Sequence, residues 1–484
     1  MDASKKTIFF RADGDSKIGL GHIIRSYAMA SAIKNEYNCL MATRCTIQGV
    51  LEELNTVFNE VISLPETEYD LEAQRVGAMA GNSNLVILDG YAFDSKYQEI
   101  LTGMGHDLFC IDDIHAFRFF SKVIINQSGG LSPLDYKAQP ATQFYLGPHY
   151  SLLRHPFLDA AKKRRTVIDN NTCFVCFGGA DPKNKTLEVL RNPAISNYFD
   201  HFYVVIGNAY MHSSELMEFS GSRKNISLYQ SLTAEKIVSV MQKCSFAICS
   251  PSTVVYEYMS VGGIVFLEQI ADNQKDVIRY MVKEGLAFHL MDIEKNIENK
   301  IEQCLQKQAV YFDGRSDERF RKLFSQYFES RRLFIRRAAI SDLETCFNWA
   351  NDQEVRAQSY HQNPISLSEH TVWFTAKLTD QNSFFYILEL DHQPVAQVRF
   401  QVIAEEAVLG YLADKSIRNK GLGTSILGKG IEQFVHDYKK RIQLVGYVKR
   451  SNPASQCSFE RLAFMKMDTA EYPDSFKYIM HHDN

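Results

Sequence analysis

A histidine preceded by two glycines is the first group in the sequence that could do chemistry. Gly19 and Gly21 lie between the apolar run at residues 7–10 and His22, where a helical pattern begins. Glycines permit a tight turn and close approach of the backbone to a ligand. The helix dipole keeps an imidazole at a helix N-terminus neutral, so it can take a proton from water at neutral pH. We therefore predict His22 as a general base whose ring Asp13 orients; a glycine-rich turn with a histidine near the helix cap is the alternative.

Polar side chains and glycines also follow apolar runs in the second third of the chain. The candidates for ligand binding are Gly178, Gly179, Asp181, Ser252, Thr253, Glu257, Asn273 and Gln274. Ser252 and Thr253 stand at a helix start, where hydroxyls and backbone amides can bind a diphosphate, and Glu257 is placed to accept hydrogen bonds from a ribose. The side-chain amides of the last pair suit sugar hydroxyls. For each residue taken singly, an ordinary helix cap or a solvated loop is the alternative.

An R-x-x-G-x-G turn stands in the last third of the chain, formed by Arg418, Gly421 and Gly423. A strand pattern at residues 407–412 precedes the turn, and an amphipathic helical pattern follows it. Successive backbone N–H groups at such a helix start bind anions. The turn therefore predicts a cradle for a pyrophosphate, and a side chain at position 423 is expected to block the anion.

The ten cysteines are scattered through the chain, which is typical of a reducing compartment. Cys173 and Cys176 have C-x-x-C spacing but lie in an apolar run that predicts a buried strand, in which positions i and i+3 point to opposite faces. Neither the cysteines nor the histidines have a spacing typical of a metal site. We therefore expect this pair to pack in the core, and we expect no metal.

The composition excludes several classes of protein. A chain of 484 residues is expected to form about three domains, and 45% apolar with 23% charged residues is typical of a globular protein. A net charge of −4 argues against a surface that binds nucleic acid. No run approaches the ~18 apolar residues that span a bilayer, and the N-terminal apolar run is too short for a signal peptide. We therefore expect no membrane partner and a cytoplasmic protein.

The elements that must hold these groups follow two patterns. Up to about residue 332, apolar runs alternate with amphipathic segments, which predicts parallel α/β sheets in two halves that enclose a deep cleft. The strands are expected at residues 7–10, 85–88, 108–111, 123–125, 173–177, 201–206, 245–249 and 263–267. From residue 333 the order of strands and helices changes. We predict domains at 1–160, 161–332 and 333–484, with a linker around residues 148–165.

A set of short motifs runs through the first two thirds of the chain. They are Arg11-x-Asp13, Ile18-Gly19-x-Gly21-His22-x-x-Arg25, Leu88-Asp89-x-Tyr91, Ile111-Asp112-Asp113, Tyr150-x-Leu152-Leu153-Arg154, Gly178-Gly179-x-Asp181, Ser252-x-x-x-x-Glu257 and Asn273-Gln274. With these motifs, residues 7 to about 330 resemble the UDP-sugar hydrolases of pseudaminic acid biosynthesis, which are similar in architecture to GT-B glycosyltransferases. The resemblance implies a pair of Rossmann-type domains, with His22 activating water so that UDP leaves with inversion and without a metal. It also implies a nucleotide site in the second half and substrate contacts by Gly21, Arg25, Asp89, Tyr91 and Arg154.

The R-x-x-G-x-G turn is followed by the motif Asn452-x-x-Ser455-x-x-x-Phe459-Glu460-x-Leu462-Ala463-Phe464. In this arrangement residues 333–484 resemble GNAT-type N-acetyltransferases, which are α+β domains that use acetyl-CoA. The resemblance implies a coenzyme site made of Arg418, Asn419, Gly421, Gly423, Thr424, Asn452 and Ser455. Many members have a tyrosine where Phe459 stands, which serves as general acid to the departing thiolate. Phenylalanine has no hydroxyl for this step.

The two resemblances together predict a bifunctional enzyme that uses acetyl-CoA and a UDP-linked amino sugar. The GNAT domain would acetylate the 4-amino group of a UDP-4-amino-4,6-dideoxy-N-acetyl-altrosamine. The first two domains would then hydrolyse UDP-2,4-diacetamido-2,4,6-trideoxy-beta-L-altropyranose to UDP and free sugar. The alternatives are a GT-B glycosyltransferase fused to an acyltransferase, a nucleotide-sugar sensor without turnover, and a GNAT domain with a purely structural role. The sequence predicts no particular oligomeric state.

Overall fold

A computed structural model describes residues 5–15, 18–83, 85–207, 210–271, 274–295 and 297–482 of the chain. The chain divides into two compact units, one made of residues 1–131 and 145–321 and the other of residues 132–144 and 322–484. The first two domains of the sequence prediction thus share one unit. The second unit begins inside a helix at residue 322 rather than at residue 333, and it includes a segment that the prediction assigns to the first domain. Packing between segments distant in sequence produces both differences.

The N-terminal part of the chain contains nine strands and five helices among the described residues. The strands are β1 (Thr7–Ala12), β2 (Asn38–Thr43), β3 (Glu60–Ser63), β4 (Leu85–Asp89), β5 (Asp107–Ile111), β6 (Arg118–Phe119), β7 (Val123–Asn126), β8 (Lys137–Ala138) and β9 (Gln143–Leu146). The helices are α1 (Gly21–Ile33), α2 (Gln48–Leu54), α3 (Tyr69–Ala80), α4 (Ser95–Gly103) and α5 (His155–Ala161). All strands except β6 and β8 form one sheet in the order β3-β2-β1-β4-β5-β7-β9. Parallel pairing of β1 with β4 aligns Ala12 with Asp89, so these two strands end at the same edge.

A second sheet in the same unit is parallel throughout. Its strands are β10 (Thr172–Cys176), β11 (His201–Ile206), β12 (Ile226–Gln230), β13 (Phe246–Cys249), β14 (Ile264–Leu267) and β15 (Phe288–His289). They lie in the order β12-β11-β10-β13-β14-β15. The helices of this part are α6 (Lys185–Arg191), α7 (Pro193–Ser196), α8 (Ser213–Gly221), α9 (Ala234–Met241), α10 (Thr253–Val261), α11 (Lys275–Lys283), α12 (Glu298–Tyr311) and α13 (Ser316–Ser330).

The third sheet is antiparallel except at one pair of strands. Its strands are β16 (Leu333–Arg337), β17 (Ser383–Leu390), β18 (Gln393–Ile403), β19 (Glu406–Ala413), β20 (Ile442–Lys449), β21 (Met465–Asp468) and β22 (Ser475–His482), and the order is β16-β17-β18-β19-β20-β22-β21. The helices are α14 (Leu343–Ala350), α15 (Gln353–Gln358), α16 (Leu367–Thr379), α17 (Gly423–Tyr438) and α18 (Pro453–Arg461). Only β19 and β20 pair in parallel. Two α/β sheets with parallel strand pairs, followed by a mixed α+β sheet, confirm the predicted α/β class with a C-terminal α+β domain; the GT-B-like pairing of the first two domains stays a prediction.

The two cysteines of the C-x-x-C pair lie in β10, as the sequence predicts. Cys173 packs in the apolar core on one face of the second sheet, and Cys176 packs in the core on the other face. Burial raises the pKa of the Cys176 thiol to about 12, because an apolar environment disfavours the thiolate. Each side chain therefore packs in one of the two apolar cores that cover the faces of this sheet.

The region predicted as a linker is packed against the second sheet instead. Helix α5 buries Phe157 and Leu158 in the core on one face of that sheet. Arg164 donates to the carbonyl of Met259, and Arg165 donates to the carbonyl of Gly262. The region ends in a run of basic residues. The guanidinium groups of Arg164 and Arg165 bind these backbone carbonyls and so fix the end of the region to the neighbouring segments.

Candidate functional site

His22 lies in the first turn of α1 and is almost fully buried, with 6% of its surface exposed. The loop before it passes through Gly19, whose φ of +80° favours glycine. Nδ1 of His22 is 2.7 Å from Oδ1 of Asp89, the last residue of β4. An ionised carboxylate can only accept a hydrogen bond, whereas Nη2 of Arg25, which lies 2.9 Å from the same Nδ1, can only donate one. Because the carboxylate contact is the shorter of the two, we assign the ring proton to Nδ1. Nε2 then has a free lone pair, and it forms no hydrogen bond with the described part of the chain.

Arg25, one turn after His22, holds two carboxylates beside the imidazole. Its Nη2 and Nε lie 2.5 Å and 3.0 Å from the two oxygens of Asp89, and its Nη1 lies 2.5 Å from Oδ1 of Asp113. Burial alone would raise the pKa of Asp113, but the charge and hydrogen bond of Arg25 outweigh burial and lower it. Arg25 and Asp89, predicted as substrate ligands, thus position His22. The sequence analysis names Asp113 in a motif but does not predict it as a site residue. Its position just after the end of β5 is the feature from which it could have been predicted.

Tyr91 packs edge-on against the imidazole. The centroids of the two rings are 4.6 Å apart, and their planes are inclined by 85°. The Tyr91 hydroxyl lies 3.5 Å from Oδ2 of Asp113, and 43% of the residue is exposed. A partly exposed aromatic ring beside His22 is suited to contact a sugar, because it offers an apolar face and a polar tip.

Asp13 does not reach His22, which corrects the sequence prediction. Its oxygens accept hydrogen bonds from Arg11 at 2.5 Å and 2.6 Å and from the backbone N–H of Arg44 at 2.7 Å. Arg11 is fully buried and also donates to Glu72 of α3. Burial acts to raise the pKa of Asp13, but the hydrogen bonds and charge of Arg11 lower it. Asp13 is therefore part of a separate ion-pair network, and Asp89 takes the orienting position.

Helix α10 of the second half begins beside the start of α1. A Cβ placed on Gly21 would lie 3.7 Å from Oγ1 of Thr253, so the loop before His22 and the first turn of α10 are neighbours. The hydroxyl of Ser252 lies 3.1 Å from that of Ser250 and does not cap α10, and α1 also lacks a side-chain cap. The uncapped N-termini of two helices thus meet at one place, where their dipoles favour an anion such as a diphosphate.

Glu257, on the first turns of α10, pairs with Arg154. Oε1 of Glu257 accepts from Nη2 of Arg154 at 2.7 Å and from its Nε at 3.0 Å, and both residues are buried. Burial raises the pKa of Glu257, although the charge and hydrogen bonds of Arg154 partly oppose the shift. The pair joins the segment before α5 to α10. Oε2 of Glu257 accepts no hydrogen bond from the residues that the structure describes, and the ribose contact stays a prediction.

Replacing Arg154 by methionine is expected to lower the free energy of unfolding by about 3–5 kcal/mol at neutral pH, because a buried carboxylate would lose its partner. The pKa of Glu257 is already raised, and losing Arg154 raises it further. A folded state that binds more protons than the unfolded state loses stability as pH rises, so the deficit of the variant should shrink on acidification. Urea unfolding between about pH 8 and about pH 5 measures this trend. A deficit that stays constant with pH would contradict the assignment, and adding Glu257→Gln should recover most of the loss.

The glycine turn after β10 borders open space, but the aspartate in it has a structural role. A Cβ on Gly178 or Gly179 would meet no atom within 4 Å. Asp181 is 2% exposed, and its two oxygens accept from the backbone N–H groups of Lys185 and Thr186 at 2.9 Å and 2.8 Å. Asp181 therefore caps the start of α6, and its role as a substrate ligand stays a prediction. The glycines keep the backbone of the turn accessible.

The loop after β14 is closed by Gln274. Oε1 of this residue accepts from the backbone N–H groups of Ile270 and Ala271 at 2.9 Å and 3.2 Å, and the residue is nearly buried. Its Nε2 forms no hydrogen bond with the described residues and keeps two donors for a sugar hydroxyl or a phosphate. Asn273, predicted together with it, lies outside the described residues.

In the second unit, the two parallel strands of the third sheet diverge. Pairing between β19 and β20 ends at Leu409 and Gly446, although the strands continue to Ala413 and Lys449. Beyond this point the facing backbone edges no longer pair with each other, and such edges bind extended chains that carry amides. The R-x-x-G-x-G turn follows directly after β19, so an opening between two strands leads to the start of α17.

The turn itself has the backbone conformation that its glycine predicts, but Arg418 has other partners. Gly421 has a φ of +75° and Asn419 a φ of +63°. The Arg418 Nη1 lies 2.7 Å from Oδ1 of Asp352 and 2.9 Å from Oε2 of Glu354, and its Nε donates to the Ala413 carbonyl. Arg418 therefore anchors the turn to α15, and its role as a coenzyme ligand stays a prediction.

The start of α17 packs closely on α18. A Cβ on Gly423 would lie 3.1 Å from Oγ of Ser458 and 3.6 Å from the hydroxyl of Tyr411. Thr424 is buried, and its hydroxyl lies 3.4 Å from Oγ of Ser458. Burial raises the pKa of Tyr411, although hydrogen bonds from Ser455 and Ser458 oppose the shift. Gly423 is therefore needed for contact between two helices, and Thr424 faces the protein instead of a ligand.

Helix α18 begins at a cap and contains the phenylalanine that departs from the GNAT pattern. Oδ1 of Asn452 accepts from the backbone N–H of Ser455 at 3.1 Å, so Asn452 caps this helix. Phe459 is 2% exposed, and its ring occupies the space beside Gly446, where a Cβ would lie only 2.3 Å away. The centroids of the Tyr411 and Phe459 rings are 6.3 Å apart. The side chain of Phe459 thus packs in the core beside the opening between β19 and β20.

No group of three or more His, Cys, Asp or Glu side chains in the described residues is arranged to hold a metal ion. Within the same residues, no helix combines the length and apolar character needed to cross a bilayer.

Comparison with known proteins identifies the last third of the chain. Residues 332–465 match the family model described as acetyltransferase (GNAT) domain. This match confirms the predicted GNAT domain and acetyl-CoA as its co-substrate. Among solved structures, spermidine N-acetyltransferase from Vibrio cholerae in complex with CoA and spermine is 14% identical with a TM-score of 0.28, and the match covers 31% of this chain and 96% of that chain.

The comparisons also extend to the first two thirds. A UDP-2,4-diacetamido-2,4,6-trideoxy-beta-L-altropyranose hydrolase of Campylobacter jejuni is 22% identical over 288 residues, which are 57% of this chain and 97% of that protein. An uncharacterised protein of Methanocaldococcus jannaschii is 20% identical over 388 residues, which are 75% of this chain and 77% of that protein. A hydrolase-like part followed by a GNAT domain confirms the predicted fusion and supports an enzyme with both activities.

Proposed function

We propose that the chain catalyses two steps on a UDP-linked amino sugar of a nonulosonic acid pathway such as that of pseudaminic acid. The GNAT domain transfers an acetyl group to the 4-amino group of UDP-4-amino-4,6-dideoxy-N-acetyl-altrosamine. The hydrolase part then cleaves UDP-2,4-diacetamido-2,4,6-trideoxy-beta-L-altropyranose to UDP and free sugar. The similarity to a hydrolase named for that substrate supports this pair of steps. Joining them in one chain raises the local concentration of the intermediate.

The main support for the hydrolytic step is the contact between Nδ1 of His22 and Oδ1 of Asp89, which are 2.7 Å apart. With the proton on Nδ1, Nε2 accepts a proton from water while the oxygen of that water forms a bond to the anomeric carbon. The bond between the anomeric carbon and the phosphate oxygen breaks, and UDP leaves with the electron pair. Thr253 and the neighbouring helix starts are suited to hold the diphosphate. Attack from the opposite side inverts the configuration.

The acetyl transfer uses the opening between β19 and β20 and the turn after β19. Backbone N–H groups at the start of α17, with Gly421 and Gly423 in the turn, bind the pyrophosphate of acetyl-CoA. The pantetheine arm lies along the unpaired strand edges. The sugar amine attacks the thioester carbonyl, the C–S bond breaks, and the coenzyme thiolate takes up one proton to replace the one that the amine nitrogen loses.

The test is to incubate the full-length protein with UDP-4-amino-4,6-dideoxy-N-acetyl-altrosamine, acetyl-CoA and ¹⁸O-labelled water. We expect NMR to reveal acetylation only with acetyl-CoA, followed by release of UDP and a free sugar whose first-formed anomer is inverted. The label should enter the sugar and not UDP, because the bond at the anomeric carbon breaks. Retained configuration, label in UDP, or transfer to an added sugar acceptor would contradict hydrolysis by this route.

A further inference from the structure

Gln326 contacts the coenzyme turn of the GNAT domain, although it precedes the residues that match the family model. It lies on α13 and is half-buried. Its Nε2 donates to the backbone carbonyl of Lys420 at 3.3 Å. A Cβ on Gly421 would lie 1.6 Å from the same nitrogen. The amide of Gln326 therefore lies directly over the peptide that joins Lys420 to Gly421.

This contact determines which way the peptide faces. In a trans peptide the carbonyl and the following N–H point in opposite directions. Because the Lys420 carbonyl points toward Gln326, the N–H of Gly421 points to the opposite side. That N–H forms no hydrogen bond with the described residues. It is therefore a free donor in the turn, with its direction held by the side chain of Gln326.

We propose that Gln326 is a positioning residue for acetyl-CoA, which holds the N–H of Gly421 toward the pyrophosphate of the coenzyme. The inference rests on the proposed coenzyme site and adds a residue outside the acetyltransferase domain to it. A side chain at position 421 would displace the amide of Gln326 from this peptide, in addition to the strain that the φ of +75° imposes. The coenzyme turn thus depends on a helix that leads into the domain.

A second segment that precedes the domain contacts the same region from residues 132–144. Nε2 of Gln143 donates to Oγ of Ser425 at 3.3 Å, and a Cβ on Gly428 would lie 3.6 Å from the Cβ of Ala141. Both contacted residues lie in the first turns of α17. The coenzyme helix and its turn are therefore contacted by residues that lie outside residues 332–465.

The test compares the full-length variants Gln326→Ala and Gln326→Glu with wild type. Alanine removes the donor, and glutamate keeps the shape but places an acceptor against the Lys420 carbonyl. In both variants we expect the Kd and KM for acetyl-CoA to rise about fivefold, the effect of one lost hydrogen bond, while kcat stays within about twofold. Lys322→Ala is the matched control, because Lys322 is exposed one turn earlier on α13. Its affinity for acetyl-CoA should equal that of wild type.

A double variant separates positioning from general stability. Gly421→Ala should cost less affinity in a Gln326→Ala background than in wild type, because the new methyl group then no longer meets the glutamine amide. If wild type binds acetyl-CoA and both Gln326 variants bind it equally well, the inference is wrong. If wild type itself does not bind acetyl-CoA, the proposed coenzyme site fails, whatever the variants do.

Discussion

The variant His22→Asn is expected to hydrolyse the UDP-diacetamido sugar about 10²–10⁴-fold more slowly than wild type, the usual effect of removing a general base. Asparagine has no atom that can take a proton from water at neutral pH. The affinity for UDP should stay close to that of wild type, because the anion site is built mainly from helix N-termini and hydroxyls. The rate of UDP release and calorimetric titration with UDP measure the two quantities.

Two further variants make this experiment specific. Asp89→Asn should also reduce the hydrolysis rate, because the imidazole loses the carboxylate at 2.7 Å that holds its tautomer. His155→Asn is the matched control, since His155 is an exposed histidine at the start of α5. It should leave the rate unchanged. UDP release by His22→Asn at the wild-type rate would show that another group activates water.

The second large effect is expected for Gly423→Val, which should raise the KM for acetyl-CoA about 10²-fold, because small displacements of a binding group cost this much. The sequence alone suggests that the side chain would block the anion. The structure gives a different cause: a Cβ at this position lies 3.1 Å from Oγ of Ser458, so valine pushes the first turn of α17 away from α18. The N–H groups that bind the pyrophosphate move with that turn. Calorimetric titration with acetyl-CoA measures the loss.

The matched control for this variant is Gly428→Ala on the same helix. A Cβ at Gly428 meets no atom closer than 3.6 Å, and alanine in a helix interior is more favourable than glycine. Acetyl-CoA affinity should therefore be unchanged there. In the background of Ser458→Ala, Gly423→Ala should bind acetyl-CoA better than Gly423→Ala alone. If Gly423→Val binds acetyl-CoA with wild-type affinity, the turn is not part of the coenzyme site.

Much of the fold could be predicted because its central strands are apolar on both faces. The predicted strand at residues 201–206 coincides with β11, and the helical pattern predicted around His22 is α1. Strands such as β21 could not be predicted from their pattern, since all four of its residues are exposed and no apolar alternation marks them. Pairing with β22 produces this strand, and that pairing is a property of the folded sheet.

The candidate site could be predicted in its residue types but not in its pairings. Asp13 is near His22 in sequence and was the expected partner of the ring. Arg11 in β1 binds both carboxylate oxygens of Asp13, directly after the end of that strand. Arg418 and Asp181 are similar cases, because a local motif marks each of them and their hydrogen bonds go to α15 and to the N-terminus of α6.

The amino-acid sequence by itself determined the local features of this protein: a histidine at a helix start after a glycine turn, hydroxyls at a second helix start, and a glycine turn before an amphipathic helix. These depend on residues close together in the chain, and backbone preferences decide them. Only the tertiary structure decided which group orients His22 and which holds the coenzyme turn. Asp89 reaches the imidazole because β4 pairs with β1, and Gln326 reaches Lys420 because α13 groups with the second unit. Contacts across such distances in sequence follow from packing, which no local pattern encodes.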